Sequence, residues 1–114
     1  MKQTELRIGN YVMNDRIVNT VTSIGKRSIG QITTQGNDIL SRTELIKPIP
    51  ITEEWLIKFG FEKRTPDGYY FDKGRMSINL PDVYYKINFT LVKIYYIHQL
   101  QNLYFALTNK ELTI

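Results

Sequence analysis

The side chains that could take part in catalysis or metal binding are few in this chain of 114 residues. His98 is the single histidine, and there is no cysteine. An ordinary zinc site needs several nitrogen or sulfur ligands, so these two counts predict no zinc site. A catalytic His98 would need a nucleophile or a carboxylate beside it, and the neighbouring sequence supplies neither. We expect His98 instead to stand near a helix start and to donate to the backbone or to solvent.

The acidic residues have local structural explanations. Glu53 and Glu54 would point about 100° apart on a helix, and both suit its first turn, where the helix dipole favours negative charge. Asp67, Asp72 and Asp82 stand at predicted turns, where Asp is favoured. The glycines lack the spacing of a phosphate-binding loop. The sequence therefore predicts that the protein is not an enzyme and has no catalytic residue, cofactor or metal.

The tyrosines are concentrated in one part of the chain. Seven of the eight lie between residues 69 and 104, and six of these form three doublets. A doublet on a strand puts one ring on each face of the sheet. We expect Tyr70 and Tyr84 on the face away from the core helix, with Lys86 close by in sequence. Rings interleaved with cations can anchor a protein or stack single-stranded bases, and an ordinary half-exposed sheet remains the alternative.

A second candidate surface lies on a predicted C-terminal helix over residues 96–107. Its apolar positions Ile97, Leu100, Leu103, Tyr104 and Leu107 form one stripe at helical spacing. His98, Asn102 and Phe105 fall together beside this stripe, at i, i+4 and i+7. We expect this flank to meet the N-terminal half of the chain or a second subunit. The complete candidate interaction surface is Tyr70, Tyr84, Lys86, His98, Asn102 and Phe105.

The N-terminal half has the pattern of a small antiparallel sheet. Residues 6–50 alternate short β-branched runs with turn residues about every ten positions, which favours a small barrel or curled sheet. Gly30 is a candidate bulge, and Pro48 and Pro50 confine the last strand to an edge. One helical turn is expected over residues 41–45. This order of elements resembles an SH3-like barrel by pattern.

The C-terminal half should mix helices and strands. Thr52 is a good N-cap for a helix over residues 53–59, and Gly60 suits the left-handed position after it. A three-stranded antiparallel meander follows, whose third strand alternates as far as residue 92, and Asn109 ends the C-terminal helix. The predicted fold is α+β and strand-rich, with an SH3-like barrel subdomain over residues 1–50 and an α+β subdomain over 51–114.

Three segments carry a family resemblance. They are the C-terminal run IHQLQNLYFALT from Ile97 to Thr108, the run from Leu6 to Val12, and the run from Pro50 to Leu56. Together they resemble a family of small uncharacterised bacterial proteins found in phage, prophage and mobile-element settings. The resemblance covers nearly the whole chain in order. It implies a small accessory or interaction protein, and it carries over no activity and no binding residue.

Composition restricts the class further. The apolar content of 42% suits a folded domain, and the lack of cysteine fits a reducing compartment. No run approaches the roughly 18 apolar residues of a membrane span, and the N-terminus lacks the apolar core of a signal peptide. A cytoplasmic protein without membrane contact is expected. The net charge of +4 divides into +3 for residues 1–50, with seven basic and four acidic residues, and +1 for the remainder, with eight and seven.

Two functional hypotheses follow from the sequence. The first is a non-catalytic interaction or structural module of phage or mobile-element origin, with a protein partner or with self-association as a homodimer. The second is a small nucleic-acid-binding protein that uses the tyrosine and lysine face. The charge excess is mild and spread along the chain, so it permits nucleic-acid contact without favouring it.

Overall fold

A computed structural model describes residues 5–66, 68–74, 76–80, 84–87 and 90–114, with the backbone alone described for 84–87 and 90–92. The protein is a small, strand-rich α+β fold with antiparallel sheets and a C-terminal helix, as predicted. The chain forms two compact units. The first comprises Met1–Ile49 with Tyr96–Glu111, and the second comprises Pro50–Tyr95 with Leu112–Ile114.

The first unit is built on a five-stranded antiparallel sheet. Its strands are β1 (Tyr11–Asn14), β2 (Ile17–Ile24), β3 (Ser28–Ile32), β4 (Asp38–Arg42) and β5 (Ile46–Lys47), in the spatial order β4-β3-β2-β1-β5. One 3-10 turn, Thr43–Leu45, leads into β5, close to the helical turn expected there. The sheet is open in this order, so the barrel closure expected from the sequence is not shown. Its buried apolar core is Leu6, Val12, Val21, Ile29 and Ile46.

Two backbone features set the register of this sheet. Asp15 and Arg16 both have positive φ and join β1 to β2 as a two-residue turn, with Asn14 paired to Ile17. Such turns match the twist of a hairpin. The predicted bulge exists but lies on β2, where the pairing with β3 shifts between Val21 and Ser23. Gly30 faces this bulge, and a Cβ there would collide with the Ser23 hydroxyl. A glycine at this position therefore allows β2 and β3 to approach each other closely.

Helix α2 (Ile97–Thr108) belongs to the first unit, whereas the sequence analysis grouped it with the second half of the chain. It ends at Asn109, which is left-handed with φ of 59°, as predicted. Its buried residues are Ile97, His98, Leu100 and Gln101. The expected apolar stripe is therefore wrong at its far end, where Leu107 is 46% exposed. The helix is rotated toward its polar flank because that flank, described below, bonds to the start of the sheet.

The second unit contains a short helix and a second antiparallel sheet. Helix α1 (Glu53–Lys58) is followed by β6 (Glu62–Lys63), β7 (Tyr70–Lys73), β8 (Met76–Asn79), β9 (Tyr84–Ile87) and β10 (Thr90–Lys93). The strands lie in the order β10-β9-β8-β7-β6, so the sheet has five strands where three were predicted. Strand β6 has only two residues, which is too short for an alternating pattern to predict it from the sequence. The buried apolar residues of this unit include Leu56, Phe59, Phe61, Phe71 and Ile78.

The predicted long third strand of the meander is instead two strands. β9 and β10 pair antiparallel with each other, with Thr90 opposite Ile87 and Lys93 opposite Tyr84. Alternation of apolar and polar residues continues from Tyr85 to Leu91, across the boundary between the two strands, so periodicity could not divide them. Residues 88 and 89, together with Asp67 and Asp82 among the predicted turn residues, lie outside the described part.

Both predicted caps of α1 are confirmed. The Thr52 hydroxyl accepts a hydrogen bond from the Trp55 amide at 3.3 Å. At the other end Gly60 has φ of 89°, its amide donates to Ile57 and the Phe61 amide donates to Leu56. These two bonds form a Schellman motif, and buried Phe61 supplies its hydrophobic contact. The ammonium of Lys73 adds a bond to the Phe59 carbonyl at 2.9 Å.

Substitution at the two caps should lower the free energy of unfolding. Thr52→Ala removes the side-chain acceptor and should cost about 1 kcal/mol. Gly60→Ala forces a Cβ into a left-handed position and against the Lys73 ammonium, and should cost roughly 1–2 kcal/mol. Urea unfolding measures both effects. Thr52→Ser, which keeps the acceptor, is the control, and a Gly60→Ala protein as stable as wild type would contradict the C-cap assignment.

Candidate interaction surfaces

The polar flank of α2 is bonded to the residues just before β1. The side chain of Gln101 is 1% exposed. Its oxygen accepts from the Tyr11 amide at 2.8 Å, and its nitrogen donates to the Gly9 carbonyl at 3.1 Å. One amide thus satisfies a donor and an acceptor of the backbone where the chain enters the sheet. Sequence analysis missed Gln101, because a single amide at the border between the apolar stripe and the polar flank carries no pattern of its own.

Asn102 extends this contact on the same flank. Its oxygen accepts from Asn10 at 2.9 Å and from Arg7 at 3.3 Å, and its nitrogen donates to the Glu5 carbonyl at 3.1 Å. Arg7 also bonds to Glu111 at 2.6 Å. The side chain of Asn102 therefore has bonds to three residues of the N-terminal segment, through both its oxygen and its nitrogen.

Phe105 completes the flank. The Arg7 guanidinium carbon lies 4.1 Å from the centre of its ring, a cation–π contact. Of the two bodies expected to meet this flank, the structure shows the N-terminal segment of the same unit. The contact explains why a phenylalanine stands there: its ring is covered by an arginine that is also bonded to Asn102 and Glu111.

His98 is buried at 1% exposure and stands at the second position of α2. The expectation that it donates to backbone or solvent is wrong for the described part, where neither ring nitrogen has a hydrogen-bond partner. Its Nε2 lies 3.9 Å from the Glu5 carboxylate, and its ring stacks on Tyr96 with centroids 5.9 Å apart. Burial lowers the His98 pKa below its ordinary 6.5, and the Glu5 charge opposes this in part. Such a ring is neutral at pH 7 and is not open to a partner.

The tyrosine face of the second unit carries an ion pair. Tyr70 is 45% exposed, and the Arg64 guanidinium carbon lies 4.7 Å from the centre of its ring. Arg64 donates two hydrogen bonds to Asp72, at 2.8 and 2.9 Å, and Asp72 also accepts from Ser77 at 2.6 Å. The Arg64 bond, with help from Ser77, holds the Asp72 pKa below its ordinary value. The cation beside Tyr70 is therefore already neutralised by a carboxylate.

The strand register connects Tyr70 to the other predicted tyrosine. Tyr70 pairs with Asn79, Asn79 with Tyr84 and Tyr84 with Lys93, so these four positions form one row across β7 to β10. Lys86 pairs with Leu91 in the next strand. The side chains of Tyr84 and Lys86 lie outside the described part. The register thus brings Tyr70 and Tyr84 into one row of the sheet.

Strand β4 is an exposed edge that the sequence analysis did not single out. It stands at the end of the first sheet, and four of its five residues are exposed. Leu40 is 70% exposed and lies opposite Gly30, which has no side chain to cover it. Ile39 is 36% exposed. Large apolar side chains on an unpaired edge are uncommon, because such edges invite pairing with another chain.

The hydrogen bonds of β4 show which backbone groups are free. Thr33 donates to Asn37 before the strand, and Thr43 donates to Arg27 after it, both at 2.9 Å. Antiparallel pairs alternate between bonded and non-bonded, so positions 37, 39, 41 and 43 bond to β3. The residues between them direct N–H and C=O toward the open side of the sheet. These outward positions are Asp38, Leu40 and Arg42.

Among the described residues, no three His, Asp or Glu side chains come together as a metal ion would need. None of the helices within the described ranges is both long and apolar enough to cross a membrane.

Comparison with known proteins adds no relative. No family model, no curated protein and no solved structure matches the chain.

Loss of the Gln101 amide should destabilise the first unit. Gln101→Leu keeps the approximate size but removes the hydrogen bonds to the part-buried Tyr11 amide and Gly9 carbonyl, which should cost about 1–3 kcal/mol in total. Urea unfolding measures the change. Gln35→Leu, made on an exposed loop residue, is the control and should stay near wild type. Equal stability of the two variants would contradict the role given to Gln101.

The lowered His98 pKa predicts a pH-dependent stability. The unfolded chain binds a proton at His98 near pH 6.5 and the folded chain only at lower pH. The free energy of unfolding should therefore fall as pH drops below 6.5, by at most about 1.4 kcal/mol per pH unit, and level off below the folded pKa. The measurement is urea unfolding from pH 8 to about 5, with His98→Gln as reference.

Glu5→Gln provides the matched test of the same cluster. Without the carboxylate that partly opposes burial, the folded His98 pKa should fall further and the pH dependence should extend to lower pH. A His98 ring that titrates at or above 6.5 in the folded protein, followed by NMR, would contradict both expectations.

Proposed function

We propose that the protein is a non-catalytic protein-interaction module whose first unit binds a partner through the free edge of β4. The observation that carries the proposal is the exposure of Leu40 on an edge whose alternate backbone groups point outward. A strand laid against such an edge gains main-chain hydrogen bonds for affinity and side-chain contacts for specificity. The partner therefore contributes an extended segment.

The candidate surface from the sequence supports this choice indirectly. His98 is buried, while Asn102 and Phe105 are engaged by the N-terminal segment of their own unit. These three positions stabilise the unit and leave the binding role to another surface. In this proposal the edge of β4 takes that role.

The finer fold and the setting also belong to the proposal. An SH3-like arrangement of the first sheet is supported by β5 lying beside β1 and by the 3-10 turn before β5. The resemblance of the three sequence segments supports an accessory protein of a phage or mobile element, and the lack of cysteine supports a cytoplasmic setting. Neither assignment is needed for binding through β4.

Nucleic-acid binding by the tyrosine face is the second candidate. It is favoured by the register that puts Tyr70 and Tyr84 into one row of the sheet, because aromatic residues in a row can stack bases. It ranks second because Arg64, the cation over Tyr70, is bonded to Asp72 and is not free for a phosphate. Binding that weakens steeply with added salt would be its signature.

Partner capture tests the proposal. Immobilised wild-type protein should retain a protein from cells that carry the element, and Leu40→Lys should lose it, because a lysine on the edge opposes strand addition. Ile17→Lys, made on an exposed isoleucine of β2 in the same unit, is the control and should still bind. The Leu40 amide should exchange more slowly with solvent in the complex. Retention by Leu40→Lys, or an unprotected Leu40 amide, would overturn the role of β4.

A further inference from the structure

We propose that the occupant of the β4 edge is the β4 of a second copy of this chain, paired antiparallel about a two-fold axis at Leu40. This inference rests on the proposed function, because it names the partner for the same edge. Three properties of β4 determine how it would pair with its own copy: the direction of its backbone groups, its charges and the length of its free edge.

The backbone fits its own copy. Leu40 is the middle of the three outward positions, and in a two-fold antiparallel pair it stands opposite Leu40 of the second copy. Asp38 then stands opposite Arg42 of the second copy. Each of these pairs joins two outward-directed residues, which is the bonded type of antiparallel pair, so each exchanges both its N–H···O bonds. No backbone group on the free side of β4 is left without a partner.

The charges fit in the same register. Asp38 and Arg42 lie two residues either side of Leu40, so two-fold pairing places opposite charges across from each other at both ends. Opposite charges directly across a strand pair are favourable, and like charges are unfavourable. Arg42 is available for this contact, since its side chain is 79% exposed and its ion pair with Glu44 is long at 3.8 Å.

Neighbouring registers fit less well. A shift by one residue would set an outward position against one that is bonded to β3, so the hydrogen bonds could not form. A shift by two residues would set Asp38 or Arg42 against Leu40 and leave one outward position without a partner. The register centred on Leu40 is the one in which backbone, charge and apolar side chains all match.

The length of the edge predicts a weak dimer. Five residues from each copy make a contact at the small end of specific interfaces, so association should be transient and concentration-dependent. We expect half-association on the order of 10–100 µM, where sedimentation equilibrium can follow it. Copies related by a two-fold axis use the same patch, so the assembly closes at two chains.

Sedimentation of wild type and single variants is the first experiment. Wild type should shift from monomer toward dimer between about 1 and 500 µM, and no further. Leu40→Lys places two lysines at the axis and should weaken the dimer more than tenfold. Ile17→Lys, which also places a lysine at an exposed aliphatic residue of the unit but away from β4, should leave the dimer unchanged. Thermal unfolding monitored by circular dichroism confirms that each variant folds.

Charge exchange between Asp38 and Arg42 tests the register. Asp38→Arg leaves two cations on β4 and Arg42→Asp leaves two anions, so each variant alone should dimerise several-fold more weakly than wild type. An equimolar mixture of the two should associate again, because every cation then faces an anion. The double variant Asp38→Arg/Arg42→Asp should dimerise as wild type does, because each cation again faces an anion. It also lacks the Arg42–Glu44 ion pair, so its recovery would show that loss of that pair does not cause the weakening in Arg42→Asp.

The outcomes separate this inference from the proposed function. A wild-type chain that stays monomeric to 500 µM, or a mixture that does not regain association, overturns pairing with a second copy. If a different protein is then captured and lost with Leu40→Lys, the proposed function stands with another occupant. If neither self-association nor capture of a partner depends on Leu40, then both the pairing with a second copy and the binding role of β4 are wrong.

Discussion

The buried amide of Gln101 is the constraint on which the first unit depends. A helix can pack on a sheet through apolar contacts at many rotations, since apolar burial has no direction. Hydrogen bonds do have direction, and Gln101 must reach both the Tyr11 amide and the Gly9 carbonyl. This requirement selects one rotation of α2. It keeps Ile97 and Leu100 in the core and leaves Leu107 near the solvent.

The consequence of that rotation is that the flank of α2 is occupied within its own unit. The two edges of the first sheet then differ in how they are protected. The β5 edge has only two residues in its strand and is followed by Pro48, a short and proline-bearing edge of the kind that resists pairing. The β4 edge has five residues, no proline and an exposed Leu40. An edge without these protections is the natural place for strand addition.

The second unit uses its charged side chains differently. Lys73 donates to the carbonyl that ends α1, and Arg64 is bonded to Asp72 beside Tyr70. Both cations therefore stabilise backbone or carboxylate groups of their own unit. Lys63 likewise pairs with Glu53 at 3.1 Å. The number of Lys and Arg residues counted from the sequence therefore overstates the cations that remain for a phosphate, because some of them are already paired within the unit.

Local features were determined by the sequence alone. The N-cap at Thr52, the left-handed Gly60, the end of α2 at Asn109 and the edge position of β5 each depend on a residue type and its neighbours, so they could be predicted. The alternation of Met76 and Ile78 with Ser77 and Asn79 is likewise found in β8.

The tertiary structure decided what depends on residues far apart in the chain. Gln101 meets Tyr11 across 90 positions, and Asn102 meets Glu5 across 97, so no local pattern could assign α2 to the first unit or bury His98. The outward direction of the Leu40 backbone N–H and C=O is likewise a result of the pairing of β4 with β3. The period-two pattern of a strand shows which side chains share a face, but not which backbone groups remain free at an edge.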